Sequence, residues 1–323
     1  MVYNYTNQLR PSFETELVDA PEQGTTAWHE WRKLGIGATD AAGCIGASHW
    51  SSPLDVYSKK CGLKKDTSTP ESQKRMEWGS RIEELLVQKF AEQHPEVTDI
   101  TRGRLYCKDG WKKCSLDAQG WLPNGEPCII ECKTAQSAME WDPVPDGYYA
   151  QVQWQMYVTG IRKTYFAVLV SGYDYFEREV DYCPAYVDKL LEVCAGVWEN
   201  IQSRTPPKAL ANPEIDKEAI AEIGAERHYG EPEEVDEELV EKYKQLKTAA
   251  DEADEALAKF KNELGLKLLD VQKLMFKGKT FASWVERKGV VSIDKTLLQT
   301  KYPDVYNKCL KQGLPSRYIK YNA

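Results

Sequence analysis

A chain of 323 residues with 42% hydrophobic and 28% charged side chains has the balance of a folded globular protein, long enough for one large domain or a domain with a substantial appendage. It contains no apolar run of membrane-spanning length, and its first residues lack the basic start and apolar stretch of a secretory signal, so a cytoplasmic protein with no membrane partner is expected. The net charge of −8 runs weakly against a nucleic-acid partner, because such domains are usually basic.

The first stretch reads as irregular up to Trp28. The small residues 35–38 then lead into a helix start with Thr39 or Asp40 near the cap, and Ser52-Pro53 repeats the signal for a helix over 53–61. Residues 64–72 are polar and loop-like. Met76, Ile82, Leu85, Leu86 and Phe90 recur at helical spacing up to His94-Pro95. The period then changes. Segments 103–107, 112–122 and 127–135 are rich in β-formers and separated by the turn signals Asp109-Gly110 and Pro123-Asn124-Gly125, which predicts a three-stranded antiparallel meander. A helix over 147–159 ending at Gly160, strands over 164–171 and 175–181 and a helix over 184–202 complete an α/β pattern, a central mixed sheet flanked by helices.

Pro206-Pro207 and Asn212-Pro213 mark a break, which divides the chain into 1–205, a linker over 206–230 and an extension over 231–323. Leu239, Tyr243, Leu246, Ala250, Ala253, Leu257, Phe260 and Leu264 form a heptad seam, which packs on another helix or pairs between chains. Two short strands around Lys277-Gly278-Lys279 and a helical stretch near 294–312 follow. Charge is uneven here: residues 231–263 hold 12 acidic and 5 basic side chains, and residues 264–323 hold 4 acidic and 12 basic. The basic segment reads equally as a DNA-contacting surface or a solvated lysine-rich face. The nine cysteines include no CxxC and the four histidines are isolated, a pattern of reduced thiols rather than of a zinc site or an iron–sulfur cluster.

The segment with most chemical content runs from Asp117 to Lys133. Asp117 stands fourteen positions before Glu131 across the second turn, so adjacent strands can bring the carboxylates together, and Glu131 and Lys133 share a strand face. Buried in an apolar strand pair, three charges need compensation, and a divalent cation supplies it. Asp117, Glu131 and the backbone carbonyl of Cys132 are hard oxygen ligands suited to magnesium, with manganese as a substitute and one or two ions. By itself this spacing fits an exposed cross-strand ion pair as well.

The arrangement resembles the PD-(D/E)xK nuclease superfamily, and residues 25–200 resemble its phage recombination branch, the YqaJ and lambda exonuclease family. Trp28-His29 with Arg32 and the run 35–40 are similar to the first family motif, whose arginine and hydroxyl residue hold a terminal phosphate. Thr39 stands where serine is more usual. Glu77-Trp78-Gly79 with Glu83 resembles the second, which supplies an acidic residue near the metal. Asp117 and Glu131-Cys132-Lys133 match the catalytic core, with Leu116 in place of the proline that names the superfamily. Tyr148-Tyr149-Ala150-Gln151-Val152-Gln153 looks like the helix whose first glutamine approaches the centre. The resemblance implies a restriction-endonuclease-like core with Asp117, Glu131, Lys133, Glu83 and Gln151 as catalytic residues, and Arg32, Thr39 and Tyr148 on phosphate and DNA. It further implies a magnesium-dependent 5′-to-3′ exonuclease on linear double-stranded DNA, a ring-shaped homo-oligomer (a trimer), a single-strand annealing partner, and a bacterial host cytoplasm if the gene is phage-borne. An endonuclease or CRISPR-associated nuclease of the same superfamily, and a non-catalytic DNA-binding scaffold, are the alternatives.

Overall fold

The computed structural model describes residues 15–17, 25–64, 70–226, 230, 232–289 and 292–311, and the chain divides into two units, Met1–Arg227 and His228–Ala323. Most of the expected irregular start and of the polar loop at 64–72 falls outside the described residues.

The first unit opens with β1 (Thr15–Leu17), α1 (Thr26–Lys33), α2 (Ala38–Cys44), α3 (Pro53–Lys60) and α4 (Pro70–Gln93). It continues with β2 (Thr98–Arg102), β3 (Leu105–Lys108), β4 (Lys112–Ser115), β5 (Ala118–Trp121) and β6 (Pro127–Ala135). A 3-10 turn (Ala138–Trp141) leads to α5 (Asp146–Thr159), β7 (Lys163–Val170), β8 (Asp174–Asp181), α6 (Pro184–Gln202) and α7 (Pro213–Glu226). Five strands form the main sheet in the order β2-β5-β6-β7-β8. Only the β6–β7 pair in it is parallel, so the sheet is mixed, as the α/β pattern implied.

The alternation along β6 sets the layers. Cys128 and Ile130 pack under α4 with Leu86, Val87 and Phe90, while Ile129 joins Val152, Trp154 and Met156 of α5 on the opposite face. Glu131 shares the face of Ile129 and therefore points toward α5. Fully buried Trp154, Phe166 and Ile129 anchor that side, and Gly160, at φ 78°, ends α5 in the left-handed conformation that glycine tolerates best.

Four expectations change. The meander does not form, because the stretch 112–122 breaks at Leu116–Asp117: β4 pairs with β3 in a separate sheet ordered β1-β3-β4, and β5 crosses to β6 in the main sheet. Strand β2 falls in a stretch read as connection. Gly37, rather than Thr39 or Asp40, caps α2, and Asp40 Oδ2 accepts the Gly37 N–H at 2.9 Å from the first turn. The expected linker 206–230 contains α7, whose Ala219 and Ile223 are buried in the main core, because helix α7 packs on α3.

The second unit contains α8 (Glu237–Leu268), the hairpin β9 (Lys273–Phe276) and β10 (Lys279–Ser283), α9 (Lys295–Lys301) and α10 (Pro303–Cys309). Asp236 caps α8 by accepting the Leu239 N–H at 2.7 Å. The expected last helix is split in two at Tyr302-Pro303, where the proline takes the first turn of α10. No described residue of α8 is buried, and Leu239, Leu246, Leu257 and Phe260 of its seam are exposed.

Candidate active site

Strands β5 and β6 are in antiparallel register with Ala118 opposite Ile130, which brings the residue just before β5 alongside Glu131-Cys132. Asp117 is fixed there by its own backbone neighbourhood: its Oδ2 accepts the Cys132 N–H at 2.8 Å. Glu131, 1% exposed, is the focus of donors. Its Oε1 receives the Lys133 ammonium at 2.6 Å and the Gln151 amide at 2.5 Å, and its Oε2 receives the Gln155 amide at 2.8 Å. The Gln155 amide also reaches the Ser115 carbonyl at 3.2 Å. Lys133 lies 5.0 Å above the Tyr148 ring.

The electrostatics follow from burying several like charges together. Burial first, then the Glu131 charge, pushes the Asp117 carboxyl well above the usual range, with Glu83 adding to it. Glu83 is itself raised, chiefly by burial, against the pull of Arg102 at 3.4 Å. For Lys133 burial works against the charged form, but Glu131 and Asp117 outweigh it and the ammonium is held above its ordinary value.

A second polar region adjoins Gln151. An open cleft of about 410 Å³ is lined by Trp28, Arg32, Thr39, Lys113, Ser115 and Gln151, among others. Its walls come together because the backbone of 35–36 zips onto β4: Ile36 N–H donates to the Trp111 carbonyl and Lys113 N–H to the Ile36 carbonyl, each at 2.8 Å. Position 35 must be glycine for this approach, since a Cβ there would lie 2.1 Å from the Trp111 carbonyl oxygen. Beneath the cleft Lys60 is paired with Asp40 at 2.5 Å and donates to the Arg32 carbonyl at 2.8 Å. Burial raises the Asp40 carboxyl, but Lys60 and Arg32 prevail and lower it.

The residues expected from sequence thus fall into two groups. Asp117, Glu131, Lys133 and Gln151 form one network, with Tyr148 beside Lys133 and Glu83 felt electrostatically while bonded to Arg102. Arg32 and Thr39 line the cleft instead, with Arg32 stacked 4.8 Å over Trp28. Gln153 takes no part: it donates to the Asp181 carbonyl and accepts the Cys183 N–H, tying α5 to the end of β8. Two residues were missed. Gln155 was detectable, since four residues beyond Gln151 lies the same helix face. Lys113 carried no sequence signal beyond being one of two lysines at a strand start.

The fold and this network define a mixed-sheet α/β protein with an acidic, lysine-containing centre on its central hairpin. Residues 27–162 match the family model of the YqaJ-like viral recombinase domain. Over 317 residues the chain is 26% identical to the uncharacterized protein YqaJ of Bacillus subtilis (strain 168), covering 92% of this chain and 94% of that one. Among solved structures it is similar to an alkaline exonuclease from Laribacter hongkongensis, with 15% identity and a TM-score of 0.42 over 56% of this chain and 94% of that one. It is also similar to a phage related exonuclease from Haemophilus somnus 129PT, with 13% identity and a TM-score of 0.39 over 53% and 95%. All nine cysteines are free, and no described helix is long and apolar enough to cross a membrane.

Proposed function

We propose that this protein is a divalent-cation-dependent deoxyribonuclease that digests linear duplex DNA from its 5′ end and leaves a 3′ single-stranded overhang for a strand-annealing partner. The observation that carries the reading is the buried network in which Lys133, Gln151 and Gln155 converge on Glu131 beside Asp117. The match of residues 27–162 to a viral recombinase domain supports the recombination setting.

The donor set fits a magnesium ion. Glu131 and Glu83 add to the electrostatic cost of the Asp117 charge, and Glu131 to that of Glu83, which is the condition a bound cation relieves. Among the described residues no three His, Cys, Asp or Glu side chains stand together as a ready-made cage. Magnesium does not need one, because it takes one or two carboxylates and completes its shell with carbonyl, water and phosphate oxygens. Asp117, Glu131 and the Cys132 carbonyl would hold it. When bound, magnesium, or manganese in its place, polarises the scissile phosphate and makes a water more acidic.

The chain's own groups do the rest. Lys133, kept protonated by its carboxylate neighbours, offers a fixed positive charge where the phosphate becomes more negative. Gln151 and Gln155 hold both oxygens of Glu131, so its orientation does not have to be found anew in each cycle. Arg32 and Thr39 in the neighbouring cleft receive the terminal phosphate and set the distance to the bond being cut. A homo-oligomeric ring, a trimer in this reading, would keep the duplex from diffusing away between cuts.

Duplexes labelled at one 5′ or one 3′ end, with and without a 5′ phosphate, test this together in magnesium. The expected result is progressive loss of the 5′ label from phosphorylated ends, abolished by chelation and by Asp117→Ala. Digestion of covalently closed circles at the same rate would replace the reading with an endonuclease. No digestion of any duplex would remove it.

A further inference from the structure

The 32 residues of α8 include no buried side chain, yet the helix carries a stripe of large apolar groups. Leu239 is 56% exposed, Leu246 63%, Leu257 49% and Phe260 51%. Helices in proteins owe most of their stability to packing along an apolar face, so an open stripe about 38 Å long, from Leu239 to Leu264, calls for a partner. The adjoining hairpin meets the far end of α8, where the Trp284 indole donates to the Leu268 carbonyl at 2.7 Å, and leaves most of the stripe open. Steps of four and three alternate along the eight seam residues, a pattern that reads the same in both directions. A second α8 laid antiparallel on the first, with all eight overlapping, sets Leu239 against Leu264, Tyr243 against Phe260, Leu246 against Leu257 and Ala250 against Ala253 of the second copy. Every layer then joins residues of matching size. The flanking charges match as well: this register brings Lys242 beside Glu263 of the second copy and Lys247 beside its Asp254. Lys247 also has Asp251 of its own helix at 3.1 Å, so the Lys242–Glu263 contact carries more weight. A parallel pair would instead set Lys242 against Lys247 and Tyr243 against itself.

We propose that α8 is a self-recognition surface, pairing antiparallel with α8 of a second copy of this chain in the register that sets Leu239 against Leu264. Periodicity alone names an apolar face and leaves the partner open; the matched layer sizes and the flanking charges supply the partner and its direction. A nucleic acid does not fit this face, because residues 231–263 hold 12 acidic and 5 basic side chains. Charge beyond the seam favours the same direction. Residues 264–323 hold 12 basic and 4 acidic side chains, and the antiparallel sense starts the two basic segments from opposite ends of the pair, where a parallel one would start them side by side. The contact is isologous, with each chain offering the same surface across a two-fold axis that runs between the Ala250–Ala253 layers. Such a contact closes on two chains and cannot build a ring of three by repetition; added to a ring closed through other surfaces, it links chains of separate rings. The central alanines contribute little apolar area, so the leucine and aromatic layers toward the ends hold the pair together. Nothing in this pairing depends on a nuclease activity.

The test is sedimentation of the full-length protein over a range of concentrations, read as the number of chains per particle. The wild type should reach an even number, and Leu246→Lys with Leu257→Lys in one chain should lower it to half. Lys242→Glu sets two acids against each other at the Glu263 contact, and Glu263→Lys sets two lysines there; each alone should weaken association by on the order of tenfold. Mixing these two variants restores opposite charges at both ends of the pair, so the mixture should associate as the wild type does. That recovery also shows that both variants are folded. A wild type with the same mass as the Leu246→Lys, Leu257→Lys protein overturns the proposal and assigns the seam to its own chain or to a different protein. A Lys242→Glu protein that associates more tightly than the wild type also overturns it, because only a parallel pair gains by losing the Lys242–Lys247 contact. Two variants that each weaken association and do not recover on mixing overturn the register.

Discussion

Two buried concentrations of charge lie on either side of Gln151, and they are resolved differently. Around Glu131 the acids outnumber the cations, and neutral amides supply much of the compensation: Gln151 and Gln155 donate where a second lysine could have stood. Around Lys113 the cations outnumber the acids, and compensation is partial: Lys60 has Asp40, while Lys113 has one carbonyl and an aromatic face. A purely structural cluster pairs its charges, because an unpaired buried charge is among the costliest features a fold can carry. Here the Lys60–Asp40 pair shows what such a solution looks like, within the same group of helices. In the proposed reading the two unbalanced sides have opposite needs, a cation in one and an anion in the other, as a phosphodiester cut beside a bound end would require.

The largest predicted effect falls on the acidic side. Asp117→Ala or Glu131→Ala should reduce digestion of a linear duplex by at least about a thousandfold. Thermal stability should be unchanged or raised in Asp117→Ala, since burial and the Glu131 charge already disfavour the Asp117 carboxylate, and loss of activity together with a collapsed melting transition in that variant would instead assign Asp117 to the core. A smaller effect, roughly tenfold to a hundredfold, is expected from the amides that hold Glu131. Gln155→Leu should lower kcat with little change in KM, because Gln155 is 1% exposed and contacts Glu131 and the Ser115 carbonyl. Gln151→Leu should change both, since Gln151 also lines the cleft. Identical kinetic signatures for the two would break the division into two sides.

Much of the acidic side is legible in the sequence. The fourteen-residue spacing across Pro123-Asn124-Gly125 needs only a hairpin to bring Asp117 to Glu131, and the alternation of β6 puts Glu131 and Lys133 on one face. These are local rules. The cationic side depends on contacts that sequence periodicity does not encode. Lys113 sits in a strand start that reads as polar, and it is buried only because residues 35–36, far away in sequence, lie along β4. The split of 112–122 was hidden for the same reason: β-propensity is continuous through Leu116, and the break is imposed by two different pairing partners. In the second unit the heptad seam was plain and its helix forms, but what covers the seam was not, because periodicity reports an apolar face and is silent on its partner.

The smallest effect tests whether the Lys60–Asp40 pair is the balanced control assumed above. Asp40 has its folded carboxyl below the ordinary value, since Lys60 and Arg32 overcome the cost of burial. A carboxylate depressed on folding gives stability that is fully present above its unfolded value, about 3.9, and that is lost as pH falls through the folded one. Each unit of depression corresponds to about 1.4 kcal/mol. Chemical denaturation of wild type and Asp40→Asn across the acid range should therefore show a gap that is constant near neutral pH and narrows below about 3.9. The comparison is sharpened by Lys60→Met, which removes the attraction and should flatten the same acid limb in an otherwise wild-type chain. If the gap instead widens as pH falls, Asp40 is raised on folding and the pair is not balanced.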